Sequence, residues 1–131
     1  ATYTSPELAS VGLSETAAKE KFGDNYTVVK WTYDENDRAR ATLSTKGIVK
    51  AITSKKGQIL GASIVGKSAD ELLAPWTLAI NEGLKIDSMA NIISPYPTLG
   101  EVSKRAASSY YTTSLFSDRT RKIVKLLSFL G

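Results

Sequence analysis

Apolar positions along this chain change their period part-way through. Up to about residue 65 they recur at every second position, in short runs broken by glycine and turn formers. Beyond that point they recur at intervals of three and four. The first half therefore predicts strands. Thr2 to Glu7 reads as extended, since Pro6 forbids a helix there, and Ala9-Ser10-Val11 reads as a short strand ended by Gly12. Ser14 is placed to cap a helix through Phe22, with Ala17, Ala18 and Phe22 on its buried side and Gly23-Asp24-Asn25 as its stop. Tyr26 to Tyr33 is rich in β-formers and puts Val29, Trp31 and Tyr33 on one face. After the turn cluster Asp34-Glu35-Asn36-Asp37, the alternation of Arg38 to Ser44 predicts another strand. Ala39, Ala41 and Leu43 would point inward, Arg38 and Arg40 outward to solvent. Ile48–Thr53 and Gln58–Val65 flank a tight turn at Lys55-Lys56-Gly57, a hairpin pattern. Gly61 and Gly66 mark a close approach or bulge and the strand end.

The second half predicts helices. Ala69, Leu72, Leu73, Trp76, Ala79 and Ile80 make one broad stripe, read as core or dimer contact. Pro75 is expected to kink or restart the helix and Gly83 to end it. A short helix over Ile86 to Ile92 follows. From Thr98, the stripe of Leu99, Val102, Ala106 and Tyr110 predicts a further helix to about Phe116. Strands first and helices after imply an α+β fold: an antiparallel sheet of about four to five strands, helices packed on one face, and a C-terminal helical tail. The one boundary that composition suggests lies near Ser117-Asp118, dividing a domain at 1–116 from a tail at 117–131.

Composition narrows the chemistry. With neither cysteine nor histidine, the sequence has no disulfide framework, thiol nucleophile, zinc finger or imidazole base, and no metal site is expected. The formal charge of +4 is concentrated in the tail, where Arg119, Arg121, Lys122 and Lys125 face Asp118 alone. The other 116 residues are nearly balanced, and no basic face with interleaved aromatics points to nucleic acid. Ile123, Val124, Leu127 and Leu130 fall on one side of the tail helix, with Arg121, Lys122, Lys125 and Ser128 opposite. A basic amphipathic helix of this kind fits two places: an apolar face of its own protein, or an anionic membrane surface. No apolar run approaches the ~20 residues that span a bilayer. The chain opens without methionine and reads as a piece of a longer polypeptide.

The candidate site is Ser94-Pro95-Tyr96-Pro97-Thr98-Leu99-Gly100-Glu101. Two prolines stiffen the backbone around one tyrosine, and Pro97 biases Tyr96 toward extended angles. Thr98 and Glu101 have the spacing of a capping box. A tyrosine on a stiff turn at the positive end of a helix, with a carboxylate one turn away, can hold reactive groups in place. The capping box also explains Glu101 without chemistry, and Tyr96 could equally be packed in a dimer groove with its hydroxyl bonded to a neighbour.

Five stretches resemble one family in the right order. Thr4-Ser5-Pro6-Glu7-Leu8-Ala9-Ser10-Val11-Gly12-Leu13 is similar to the opening of the C-terminal domain of the FAD-dependent pyridine nucleotide-disulfide oxidoreductases. Arg38-Ala39 with Gly47-Ile48-Val49-Lys50, then Ile59-Leu60-Gly61-Ala62 and Ala69-Asp70-Glu71-Leu72, resemble its sheet and following helix. Tyr96-Pro97-Thr98-Leu99-Gly100-Glu101 sits where that family carries His-Pro-Thr-x-x-Glu. The resemblance covers roughly residues 3 to 116. It implies a dimerisation domain of a homodimer, with FAD and NAD(P) domains upstream. Each copy would present its turn to the flavin and redox-active cysteine pair of the other. It implies catalytic roles for Tyr96 and Glu101, and backbone contacts of Pro97 and Thr98 with the partner's flavin. It also implies a cytoplasmic enzyme, in which the tail leaves peripheral membrane contact open. No Gly-rich dinucleotide fingerprint occurs, so this piece alone is expected to bind neither cofactor and to be inactive. Tyrosine in place of histidine resembles mercuric reductases, but the cysteine pair they carry at the C-terminus is missing here. A phenol, with a reference pKa of about 10, is a poor general base. The alternative is a non-catalytic dimeric binding or scaffold module on the same fold.

Overall fold

The computed structural model describes residues 1–3, 5–115 and 118–130. Four strands, β1 (Leu8–Gly12), β2 (Tyr26–Thr32), β3 (Ile48–Ser54) and β4 (Ile59–Val65), form one antiparallel sheet in the order β1-β4-β3-β2. The β3–β4 hairpin closes at Lys55-Lys56-Gly57, where Gly57 takes a φ of 88° and Ser54 N–H bonds Gln58 O at 2.9 Å. Among the described residues the helices are α1 (Glu15–Phe22), α2 (Asp37–Ala41), α3 (Ala69–Asn81), α4 (Ile86–Ala90), α5 (Glu101–Leu115) and α6 (Asp118–Leu130). The fold is α+β. The expected domain boundary between 116 and 117, the expected helix end at Phe116, and Thr4 of the expected extended run lie outside the described residues.

Register explains the layering. Val29 pairs with Ala51, Ala51 with Ala62, Val49 with Ile64, and Ile64 with Ala9, so these side chains share one face. All are buried, and α3 and α5 cover them through Ala69, Trp76, Ala79, Val102, Ala106 and Ala107. Trp76, fully buried, donates its indole N–H to Ser103 Oγ at 3.0 Å, which joins α3 to α5 inside the core. The helix α3 runs through Pro75 as one element, without the restart that proline suggests. The first helix, capped as expected by Ser14, whose Oγ accepts from Ala17 N–H, meets the opposite sheet face; Glu15 pairs there with Lys50.

Two glycines are fixed by space. The chain leaving β1 crosses the sheet at Gly61, where a Cβ would overlap the Leu13 carbonyl. At Gly66, φ is 144° and a Cβ would lie 2.7 Å from the ring of Tyr33.

One expected strand is not there. Arg38 to Ser44 forms α2 and a turn instead. Asn36 caps α2, accepting from Ala39 N–H at 2.9 Å, and Asp37 occupies its first turn. Of the three residues expected to face inward only Ala39 is buried; Ala41 is exposed, and Leu43 is 91% exposed with φ 54°. Arg and Ala are good helix formers, so the alternation over so few residues was outweighed by propensity and the cap.

Replacing Gly61 by alanine is expected to destabilise the domain by roughly 1–3 kcal/mol, because the obstructing atoms are backbone rather than a flexible side chain. Urea denaturation of wild type and variant measures this.

Candidate functional site

The turn at 94–101 is held from behind by three consecutive residues at the start of α2. Strand β2 ends at Thr32, and a 3-10 turn over Tyr33–Glu35 brings Asn36, Asp37 and Arg38 beneath it. Buried Tyr33 anchors that turn, its hydroxyl donating to Lys67 O at 3.0 Å. Asn36 Nδ2 then donates to Thr98 O at 2.9 Å, Arg38 Nε donates to Pro97 O at 3.0 Å, and the Tyr96 hydroxyl donates to Asp37 Oδ2 at 2.6 Å. The Tyr96–Pro97 peptide bond is cis. Thr98 Oγ1 donates to Pro95 O at 2.7 Å, closing the turn on itself.

Half of the expected capping box forms. Glu101 Oε2 accepts from Thr98 N–H at 3.4 Å, while the Thr98 hydroxyl is turned to Pro95. The helix accordingly opens at Glu101 rather than Thr98. It is preceded by a tight turn in which Glu101, Val102 and Ser103 donate to the carbonyls three residues back.

Tyr96 and Glu101 line one shallow cavity of about 310 Å³ together with Trp31, Glu35, Asn36, Asp37 and Arg105. Tyr96 itself is 71% exposed. Its hydrogen bond to Asp37, and then the Asp37 charge, hold the phenol above its ordinary pKa near 10. The ring thus presents a protonated hydroxyl at neutral pH, its proton engaged by a carboxylate and its oxygen free to accept. Trp31 Nε1 is enclosed on the cavity wall without an acceptor among the described residues. The Pro97 carbonyl accepts one bond from behind and keeps a second lone pair, whereas the Thr98 carbonyl accepts both from Asn36 and from Glu101 N–H.

All four residues singled out in the sequence, Tyr96, Pro97, Thr98 and Glu101, thus stand on one lip. Asn36, Asp37, Arg38 and Arg105 were missed. An Asn–Asp pair ahead of Arg-Ala-Arg-Ala is a helix-start signal that could have revealed α2. Nothing local could have revealed contacts that span 59 to 62 residues.

The dimerisation domain of the pyridine nucleotide-disulphide oxidoreductases matches residues 1–107. The chain belongs to that family. Dihydrolipoyl dehydrogenase from Bacillus subtilis is 40% identical over 106 residues, covering 80% of this chain and 22% of that protein. The Staphylococcus aureus dihydrolipoyl dehydrogenase is 41% identical with the same coverage. The chain spans about a fifth of the length of these relatives. Among solved structures, the Cu(II) complex of the HOCl-induced flavoprotein disulfide reductase RclA from Escherichia coli matches with a TM-score of 0.76 at 29% identity, over 82% of this chain and 24% of that one. LpdA from Mycobacterium tuberculosis matches in fold, with a TM-score of 0.75 at 24% identity over 82% of this chain and 23% of that one.

Removing the Asp37 charge is expected to return the Tyr96 phenol toward its ordinary value. The raised value means the protonated ring stabilises the turn below about pH 10, a contribution lost as pH rises through the folded value. In Asp37→Asn the shift is largely gone, and that pH-dependent contribution goes with it. Absorbance titration of the tyrosine, isolated by difference from Tyr96→Phe, reads the shift.

Proposed function

We propose that residues 1–116 are the dimerisation domain of a flavoprotein oxidoreductase of the disulfide or mercuric reductase-like class, dependent on FAD and NAD(P). In this reading the flavin and nucleotide domains precede Ala1 in a longer chain and 117–131 form an appended tail. Two copies pair, and each offers Tyr96-Pro97-Thr98-x-x-Glu101 to the flavin and disulfide site of the other. The names of the relatives support the reaction class. The observation that carries the reading is the exposure of Tyr96 on a lip whose backbone carbonyls are fixed from the inner side.

What this chain would contribute at such a site is small and specific. The Tyr96 hydroxyl holds its proton toward Asp37 and accepts a hydrogen bond with the same oxygen. Glu101 holds the Thr98 amide, and the outer lone pair of the Pro97 carbonyl is left for a flavin edge or its solvent. FAD, when bound by the preceding domains, supplies the electron transfer; the lip's groups suit contact with it but are too few to hold it.

A second reading, a pairing module without chemistry of its own, is favoured by the upward shift of the phenol, which leaves still less phenolate at neutral pH to act as a base. One substitution in the assembled enzyme separates the two. Tyr96→Phe is expected to lower turnover by about 10-fold or more, with subunit pairing and flavin content unchanged. Unchanged turnover would assign the hydroxyl to structure alone.

A further inference from the structure

We infer that α6 is a peripheral anchor whose apolar arc seats in an anionic lipid surface. This helix lies beyond residue 107, where the family match ends, and its described side chains, 122–130, are all exposed and outside the domain's core. Ile123, Val124, Leu126, Leu127, Phe129 and Leu130 are all between 49% and 80% exposed. At about 100° per residue, all of these but Phe129 fall within an arc of roughly 160°. Lys122 and Lys125, also exposed, flank and oppose that arc together with Ser128.

Charge selects the occupant. After Asp118 the helix carries Arg119, Arg121, Lys122 and Lys125 and no acidic residue. A second α6 laid on the first would bring the same four cations with Asp118 as the one carboxylate to meet them, and like charges on paired helices repel. An anionic bilayer supplies hydrocarbon for the arc and negative charge for the lysines at once. Thirteen residues make a helix of about 20 Å, too short for the ~30 Å hydrocarbon core, so it would lie in the plane of the interface. Consistently, no helix among the described residues is long and apolar enough to cross a membrane.

The test is co-sedimentation of the 131-residue chain with vesicles of mixed phosphatidylcholine and phosphatidylglycerol, against vesicles of phosphatidylcholine alone. Binding is expected to be at least about tenfold tighter to the anionic vesicles and to weaken with salt. Lys122→Glu with Lys125→Glu should lower it by about tenfold or more, and Ile123→Glu with Leu127→Glu should abolish it. Both variants keep the wild-type unfolding midpoint, since none of these side chains is in the core. Failure to bind either vesicle, or equal binding to both, would overturn the inference. So would light scattering in which the Ile123→Glu, Leu127→Glu variant breaks up a dimer while vesicle binding persists, for the arc would then be a seam between protein chains.

Discussion

Three neighbouring side chains at the start of a five-residue helix decide where the candidate site stands. Asn36 takes the Thr98 carbonyl, Arg38 the Pro97 carbonyl, and Asp37 the Tyr96 hydroxyl, so each of residues 96–98 has one partner in the tripeptide. Asn36 matters most among them because it is 4% exposed and works in both directions: its carbonyl caps α2 while its amide holds the lip. Losing a side-chain cap alone costs about 0.5–2 kcal/mol, and the Thr98 carbonyl would lose the shorter of its two hydrogen bonds as well. Arg38 and Tyr96 are exposed, and their bonds serve direction more than stability.

The clasp depends in turn on the core. Tyr33, buried under Gly47 and Gly66 and bonded to Lys67 O, fixes the exit of β2 and hence the entry of α2. On the other side of the lip, α5 is held by Val102, Ala106 and Ala107, and by the Ser103 hydroxyl under the Trp76 indole. A site assembled this way has a rigid inner side and a free outer one. The lip's carbonyls and its tyrosine proton are committed to the protein, while the Tyr96 ring and the outer lone pair of the Pro97 carbonyl remain for whatever meets them.

Most of the fold was legible because its elements are long enough for period to speak. The sheet's four strands, the Ser14 cap, the Lys55-Lys56-Gly57 turn and the stripes on α3 and α5 all follow from alternation, turn chemistry and three–four spacing. The segment from Arg38 to Ser44 was misread because alternating Arg and Ala over so few positions fits either period, and the deciding residue, Asn36, sat in what read as a turn. The lip was legible as a motif through its prolines, its capping pair and its likeness to a family turn. Its partners were not, since a hydrogen bond between residues some 60 positions apart leaves no local trace. The Glu101 cap is visible in spacing, yet the missing return bond from Thr98 is not, because the hydroxyl's choice of Pro95 depends on the turn's final shape.

The central claim is that residues 36–38 hold the lip so that it faces outward, toward a second subunit. A structure of the assembled two-subunit protein tests this most directly. The account requires Asn36, Asp37 and Arg38 still bound to residues 96–98, with the Tyr96 ring at the boundary between subunits and turned toward the redox centre of the partner. A lip released from that tripeptide, folded into its own protomer, or directed away from the symmetry mate would contradict it.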